Sequence, residues 1–184
     1  MKNLALLLII MSIVGCSSKQ PVSQLKLKYF HITAPQNDWE SGYSAEDDLQ
    51  AAEEYVIKGE NVYNWSKLVT EQHAKVFQKE LLFKYVQITE AKLRENSKGF
   101  YWNVLEKKEN SVVYEWAHNG SGTFPPTYEI CKLVAENNAL YRLSFDKYTT
   151  NRNDLEVLKW KSYILNSTLK QIPVPATHNQ DENP

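Results

Sequence analysis

The sequence predicts an α+β fold: an antiparallel sheet of about six or seven strands packed by two amphipathic helices. Three observations predict it. Short runs rich in β-branched and aromatic residues recur between turn residues, the mark of strands. Hairpin-length connections join consecutive runs, which makes neighbouring strands antiparallel. Two longer stretches carry apolar residues at three- and four-residue spacing, and each needs a sheet face to cover.

In chain order, "LKLKYFHI" (Leu25–Ile32) alternates and reads as a strand. "TAPQNDWESGYSAEDD" reads as a loop, with Pro35, Gly42 and an acidic cluster at Glu46, Asp47 and Asp48. "LQAAEEYVI" mixes helix formers with Tyr55, Val56 and Ile57, and we assign its second half to a strand. Gly59 turns the chain, and "NWSKLVTEQHA" pairs back antiparallel. "VFQKELLFKYVQITEAKLREN" is the clearest helix. Phe77, Leu81, Tyr85 and Ile88 fall on one face, with Leu82, Val86 and Leu93 beside them. Lys92 and Arg94 suit its negative end, and Gly99 stops it.

"FYWNVLEKKENSVVYEWAH" reads as two strands about a polar turn. "TYEICKLVAENNALYRLSFDKY" is a second hairpin, and Asn137-Asn138 supplies the positive φ that a tight turn demands. "NDLEVLKWKSYILNSTLKQ" is a helix capped by Asn153 or Asp154, with Val157, Trp160, Ile164 and Leu165 on its buried face. The order strand, strand, strand, helix, four strands, helix makes a sandwich of two or three layers. It resembles the PsbP-like fold over roughly residues 25–170. The stretch "YVIKGENVYNWSKLVTEQ" resembles one seen in small exported bacterial proteins.

A chain of 184 residues with 42% hydrophobic and 23% charged content supports one globular domain. Its net charge of −1 provides no field to attract nucleic acid, which we exclude as a partner. The chain opens with Lys2 and an apolar run from Leu4 to Gly15, too short to span a bilayer, which takes about 20 residues. This is a signal-peptide pattern. Its end, Ile13-Val14-Gly15-Cys16, resembles the lipobox of bacterial lipoprotein precursors. That resemblance implies cleavage before Cys16, a diacylglyceryl group on its thiol and usually a further acyl chain. Two or three acyl chains hold a protein to a bilayer that one holds only weakly. Ser17 stands where the family's inner-membrane retention signal has aspartate, so the resemblance implies the outer membrane, with the domain facing the periplasm.

The map that follows is a signal peptide over 1–15, lipidated Cys16 with a polar tether over 16–24, one domain over 25–171 and a disordered tail over 172–184. The tether keeps the domain within about 30 Å of the bilayer. With Cys16 lipidated, Cys131 has no partner in the mature chain and reads as a small buried hydrophobe.

Motifs for a nucleophile, a metal or a phosphate loop are absent: "NGSGTF" is not G-x-S-x-G, and H-E-x-x-H and C-x-x-C do not occur. His31, His73, His118 and His178 are scattered. Glu71 and His73 share a strand face, but two ligands do not make a metal site, and we assign neither metal nor cofactor. Glu115, Glu129 and Arg142 lie on three successive strands and, if the registers agree, form a cross-strand row. Such a row could orient a ligand or supply a general acid, but an ion network on the sheet's outer face is the commoner arrangement. Trp102 and Trp116 fall on neighbouring strands and are candidates to line a sugar, peptide or lipid groove, framed by the loop "HNGSGTFPPT". The expectation is a non-catalytic envelope lipoprotein that binds another envelope protein, an immunity factor against an envelope toxin included. A carrier of a small hydrophobic ligand and an envelope hydrolase are the alternatives.

Overall fold

The computed structural model describes residues 25–33, 39–120 and 125–171. Cys16, the signal and tether assignments, the tail with His178, and residues 121–124 of the long loop lie outside the described residues.

Strands β2 (Trp39–Glu46), β3 (Gln50–Ile57), β4 (Lys67–Ala74), β5 (Tyr101–Lys108), β6 (Ser111–His118), β7 (Thr127–Glu136) and β8 (Ala139–Lys147) form a seven-stranded sheet in the order β2-β3-β4-β8-β7-β6-β5. Every neighbouring pair is antiparallel. Helix α1 (Leu82–Glu95) carries the chain from β4 to the far edge at β5, and the meander β5–β8 brings it back to β4. Helix α2 (Leu155–Asn166) follows β8. The fold is α+β, as the sequence predicts.

Side chains alternate across each strand, so each central strand feeds two cores. One face of β6–β8 contributes Val113, Tyr128, Ile130, Tyr141, Leu143 and Phe145, which pack against Val157, Trp160 and Ile164 of α2. The other contributes Val112, Tyr114, Cys131, Leu133 and Leu140, which pack against Leu82 and Val86 of α1. The helices therefore cover opposite faces, giving three layers. Trp160 is fully buried, its ring 4.4 Å from Phe145 and 4° from parallel. Asp154 is the α2 cap and accepts from the Glu156 and Val157 N–H groups. Asn137 and Asn138 take φ of 53° and 57° and close the β7–β8 hairpin.

Four readings change. The stretch read as a loop after Ile32 contains β2, an edge strand exposed at every position but Trp39. Gly42 lies at its bulge, where a Cβ would meet Val62 and Val56 at 3.0 and 3.1 Å. "LQAAEEYVI" is strand from Gln50 onward rather than in its second half alone. The strand expected over Leu25–Ile32 shrinks to β1 (Phe30–His31), which pairs with β9 (Thr168–Leu169) outside the large sheet. Leu81 just before α1, and Tyr85 and Ile88 on it, stand 44%, 42% and 46% exposed, while Leu82 and Val86 face the sheet.

Candidate functional site

Strand register decides which candidate side chains meet. Trp116 stands opposite Glu129, Glu129 opposite Asp146, and Leu133 opposite Arg142. Glu129 and Arg142 therefore share the α1 face, where their side chains form an ion pair at 3.0 Å. Glu115 pairs with Ile130 and points to the α2 face. The expected row of Glu115, Glu129 and Arg142 divides into two networks on opposite sides of the sheet, and both acids are buried rather than on an outer face.

On the α2 face Glu115 is a hub. Its Oε2 accepts from the Tyr128 hydroxyl at 2.8 Å and pairs with Lys161 of α2 at 2.6 Å. Its Oε1 accepts from the Tyr101 hydroxyl at 3.0 Å and from Asn103 at 3.2 Å. Burial pushes the carboxyl up, but Lys161, Tyr128 and Asn103 together outweigh it and hold Glu115 below its ordinary range. All of its acceptor capacity faces donors of its own chain, so this is a strut between sheet and helix.

On the α1 face Asp146 joins the Glu129–Arg142 pair, with the Ser144 hydroxyl donating to it at 3.3 Å. Burial and the charge of Glu129 push Asp146 well above the ordinary carboxylate range, against the pull of Arg142. Two acids facing one guanidinium cannot both ionise cheaply, so Asp146 holds its proton beyond the pH at which an exposed aspartate gives it up. Cys131 stands beside them as a buried free thiol, pushed up to about 12 chiefly by burial. A thiol so far from ionisation is a packing residue.

The carboxylate of Glu71, 1% exposed, accepts three successive backbone N–H groups, from Lys28, Tyr29 and Phe30, at 2.6, 2.7 and 2.9 Å. It thereby clamps the segment that enters the domain onto β4. Tyr29 packs at 4.9 Å from the His73 ring, which stacks in turn on Tyr141 at 4.5 Å. Glu71 and His73 thus share a face, as expected, and serve to seat this strap. Among the described residues no group of three or more His, Cys, Asp or Glu side chains is placed to hold a metal ion.

Trp102 and Trp116 are brought together. They stand opposite each other on β5 and β6, Trp102 stacking on Tyr114 at 4.4 Å and Trp116 on His118 at 5.7 Å. Both tryptophans are half-buried and complete the edge of the α1-side core.

Compared with known proteins, the chain matches no family model and none of the curated proteins. Its site must be read from its own residues.

Sequence reasoning missed Lys161 and Tyr128 as the ion-pair and hydrogen-bond partners of Glu115, Asp146 as the second acid beside the Glu129–Arg142 pair, and the clamp made by Glu71. The signal available was weak: buried Glu at alternate positions of apolar strands announces a partner without naming it. Among the described residues no helix is long and apolar enough to cross a membrane.

Proposed function

We propose that the chain is a lipid-anchored envelope lipoprotein whose α+β domain serves as a non-catalytic module binding another envelope protein close to the outer membrane. The observation that carries the anchor is the apolar run ending in Ile13-Val14-Gly15-Cys16 with a polar linker behind it. The Glu71 clamp supports it mechanically. Three charge-assisted hydrogen bonds fasten the chain a few residues past the tether, so a pull on the lipid is delivered to β4, an interior strand of the sheet.

The non-catalytic reading is supported by where the acids spend their charge. Glu115 goes to Lys161, Glu129 to Arg142 and Glu71 to backbone N–H groups, which leaves no positioned base facing an open cleft from this set. A carrier needs an apolar chamber between layers, and the α2 interface is filled by Trp160, Phe145 and Tyr128, each wholly buried. The test is photo-crosslinking in intact cells, with wild type compared against Glu115→Gln, Glu129→Gln and Cys16→Ala. Both glutamine variants retain the captured protein and Cys16→Ala loses it. Loss of an envelope hydrolytic activity in either glutamine variant, with the fold intact, would replace the binding module by an enzyme.

A further inference from the structure

A groove of about 450 Å³ opens beside the β3–β4 connection, away from the networks described above. This lies within the range of about 300–1,000 Å³ of small-molecule sites. The turn after β3 supplies Gly59–Asn61 and Asn64–Ser66, β4 opens with Lys67, β8 and its exit supply Lys147 and Tyr148, and the first turn of α2 supplies Glu156. Its wall is aromatic: Trp65 stacks on Tyr148 with centroids 4.0 Å apart and planes 23° from parallel. The rest is polar, and the connection is held in shape by its own bonds. Asn61 Oδ1 accepts from the Tyr63 and Asn64 N–H groups at 2.9 and 3.1 Å, and Glu60 accepts from the Ser66 N–H at 2.8 Å and hydroxyl at 2.7 Å.

The charges in the groove select the ligand. Lys67 pairs with Glu156 at 2.6 Å, and Lys147 pairs with Glu156 at 2.9 Å and Asp154 at 3.0 Å. Both ammonium groups are already neutralised, so a phosphate or carboxylate ligand finds no spare positive charge. Of the acids, Glu156 and Asp154 are spent on these lysines. Glu60 lines the groove without a lysine partner among the described residues and is turned onto the Ser66 N–H and hydroxyl, so the groove carries a slight negative excess that further disfavours an anion. What remains unspent is neutral: the Asn64 side-chain amide and the Trp65 indole N–H, neither hydrogen-bonded among the described residues, beside the aromatic wall. A flat apolar surface next to uncharged donors and acceptors suits a sugar ring, which presents C–H groups on its face and hydroxyls around its rim.

We propose that this groove binds an uncharged saccharide, with the Trp65–Tyr148 pair against a ring face and Asn64 on its hydroxyls. This goes beyond the protein-binding reading and does not depend on the anchor. The experiment uses the full chain in a zwitterionic, sugar-free detergent, with the tryptophan indoles labelled by ¹⁵N and Trp65 assigned by its loss in Trp65→Phe. The probes are maltose, cellobiose and N,N′-diacetylchitobiose, with glucose 6-phosphate as the charged comparison. The expected result is a shift of the Trp65 indole signal by at least one uncharged disaccharide, with Kd about 1 mM and the other four indoles still. Trp65→Ala, Tyr148→Ala and the exposed Asn64→Ala each weaken saturation transfer to the sugar, the aromatic changes by about tenfold. If Trp65→Ala does not fold, the other two variants decide. The proposal is overturned if no uncharged probe moves the Trp65 signal, if glucose 6-phosphate binds more tightly, or if all folded variants keep full affinity.

Discussion

Asp146 sits opposite Glu129 on adjacent strands, where two carboxyls share one guanidinium. Its raised folded-state pKa means that the native state binds a proton which the unfolded chain has released. That contribution is whole below the unfolded value of about 4 and is lost as pH rises from there. Asp146→Asn keeps a donor toward Glu129 and removes the titration. Unfolding free energies between pH 4 and 8 are expected to fall less steeply with pH in the variant, by at most about 1.4 kcal/mol per pH unit. Parallel profiles would remove Asp146 as the proton holder. Glu71 gives a second residue-level expectation. Glu71→Gln leaves at least one of the three N–H groups, two of them buried, poorly satisfied, at a cost of up to about 1–3 kcal/mol. Amide exchange at Lys28, Tyr29 and Phe30 should accelerate together; unchanged protection there would mean the strap is held by packing alone.

Helix α1 shows what an amphipathic pattern cannot decide. Two apolar stripes lie side by side, Leu81-Tyr85-Ile88 and Leu82-Val86-Leu93, and periodicity alone scores both. Packing resolves them, placing Leu82 wholly inside and Ile88 nearly half exposed. Leu82→Ala is expected to cost about 2–5 kcal/mol in denaturant unfolding. Ile88→Lys should change stability by less than about 0.5 kcal/mol, and a reversal of that ranking would overturn the facing of the helix. The face of α2 was legible because Val157, Trp160 and Ile164 recur at three- and four-residue spacing, whereas Leu155 and Leu158 are followed on their side by Ser162, and the β7–β8 hairpin because Asn137-Asn138 states its turn chemistry. Strand β2 was not legible: an edge strand exposed on both faces has no alternation to read. The split of Glu115 from Glu129 was hidden for another reason. A shift of one residue in register exchanges the faces of a strand, and the connection between β6 and β7 is too long for its length to fix the parity.

At the scale of the whole molecule, β1 pairs with β9, and Lys170 donates from its backbone N–H to the Tyr29 carbonyl at 2.8 Å and from its side chain to Leu27. The entry and exit of the domain therefore lie side by side, stitched to each other and, through Glu71, to β4. This arrangement suits a domain held from one end, and the tether expected from the sequence enters there. Flotation of envelope membranes should carry the wild-type chain with the lipid, while Cys16→Ala stays with the dense fractions as an uncleaved or unanchored protein. Mass spectrometry of the N-terminal peptide of the chain purified from a bacterial envelope tests the anchor most directly. The expected peptide begins at Cys16 and carries the mass of a diacylglyceryl group, usually with a further acyl chain. A peptide that begins elsewhere, or an unmodified Cys16, would contradict a lipid-anchored module.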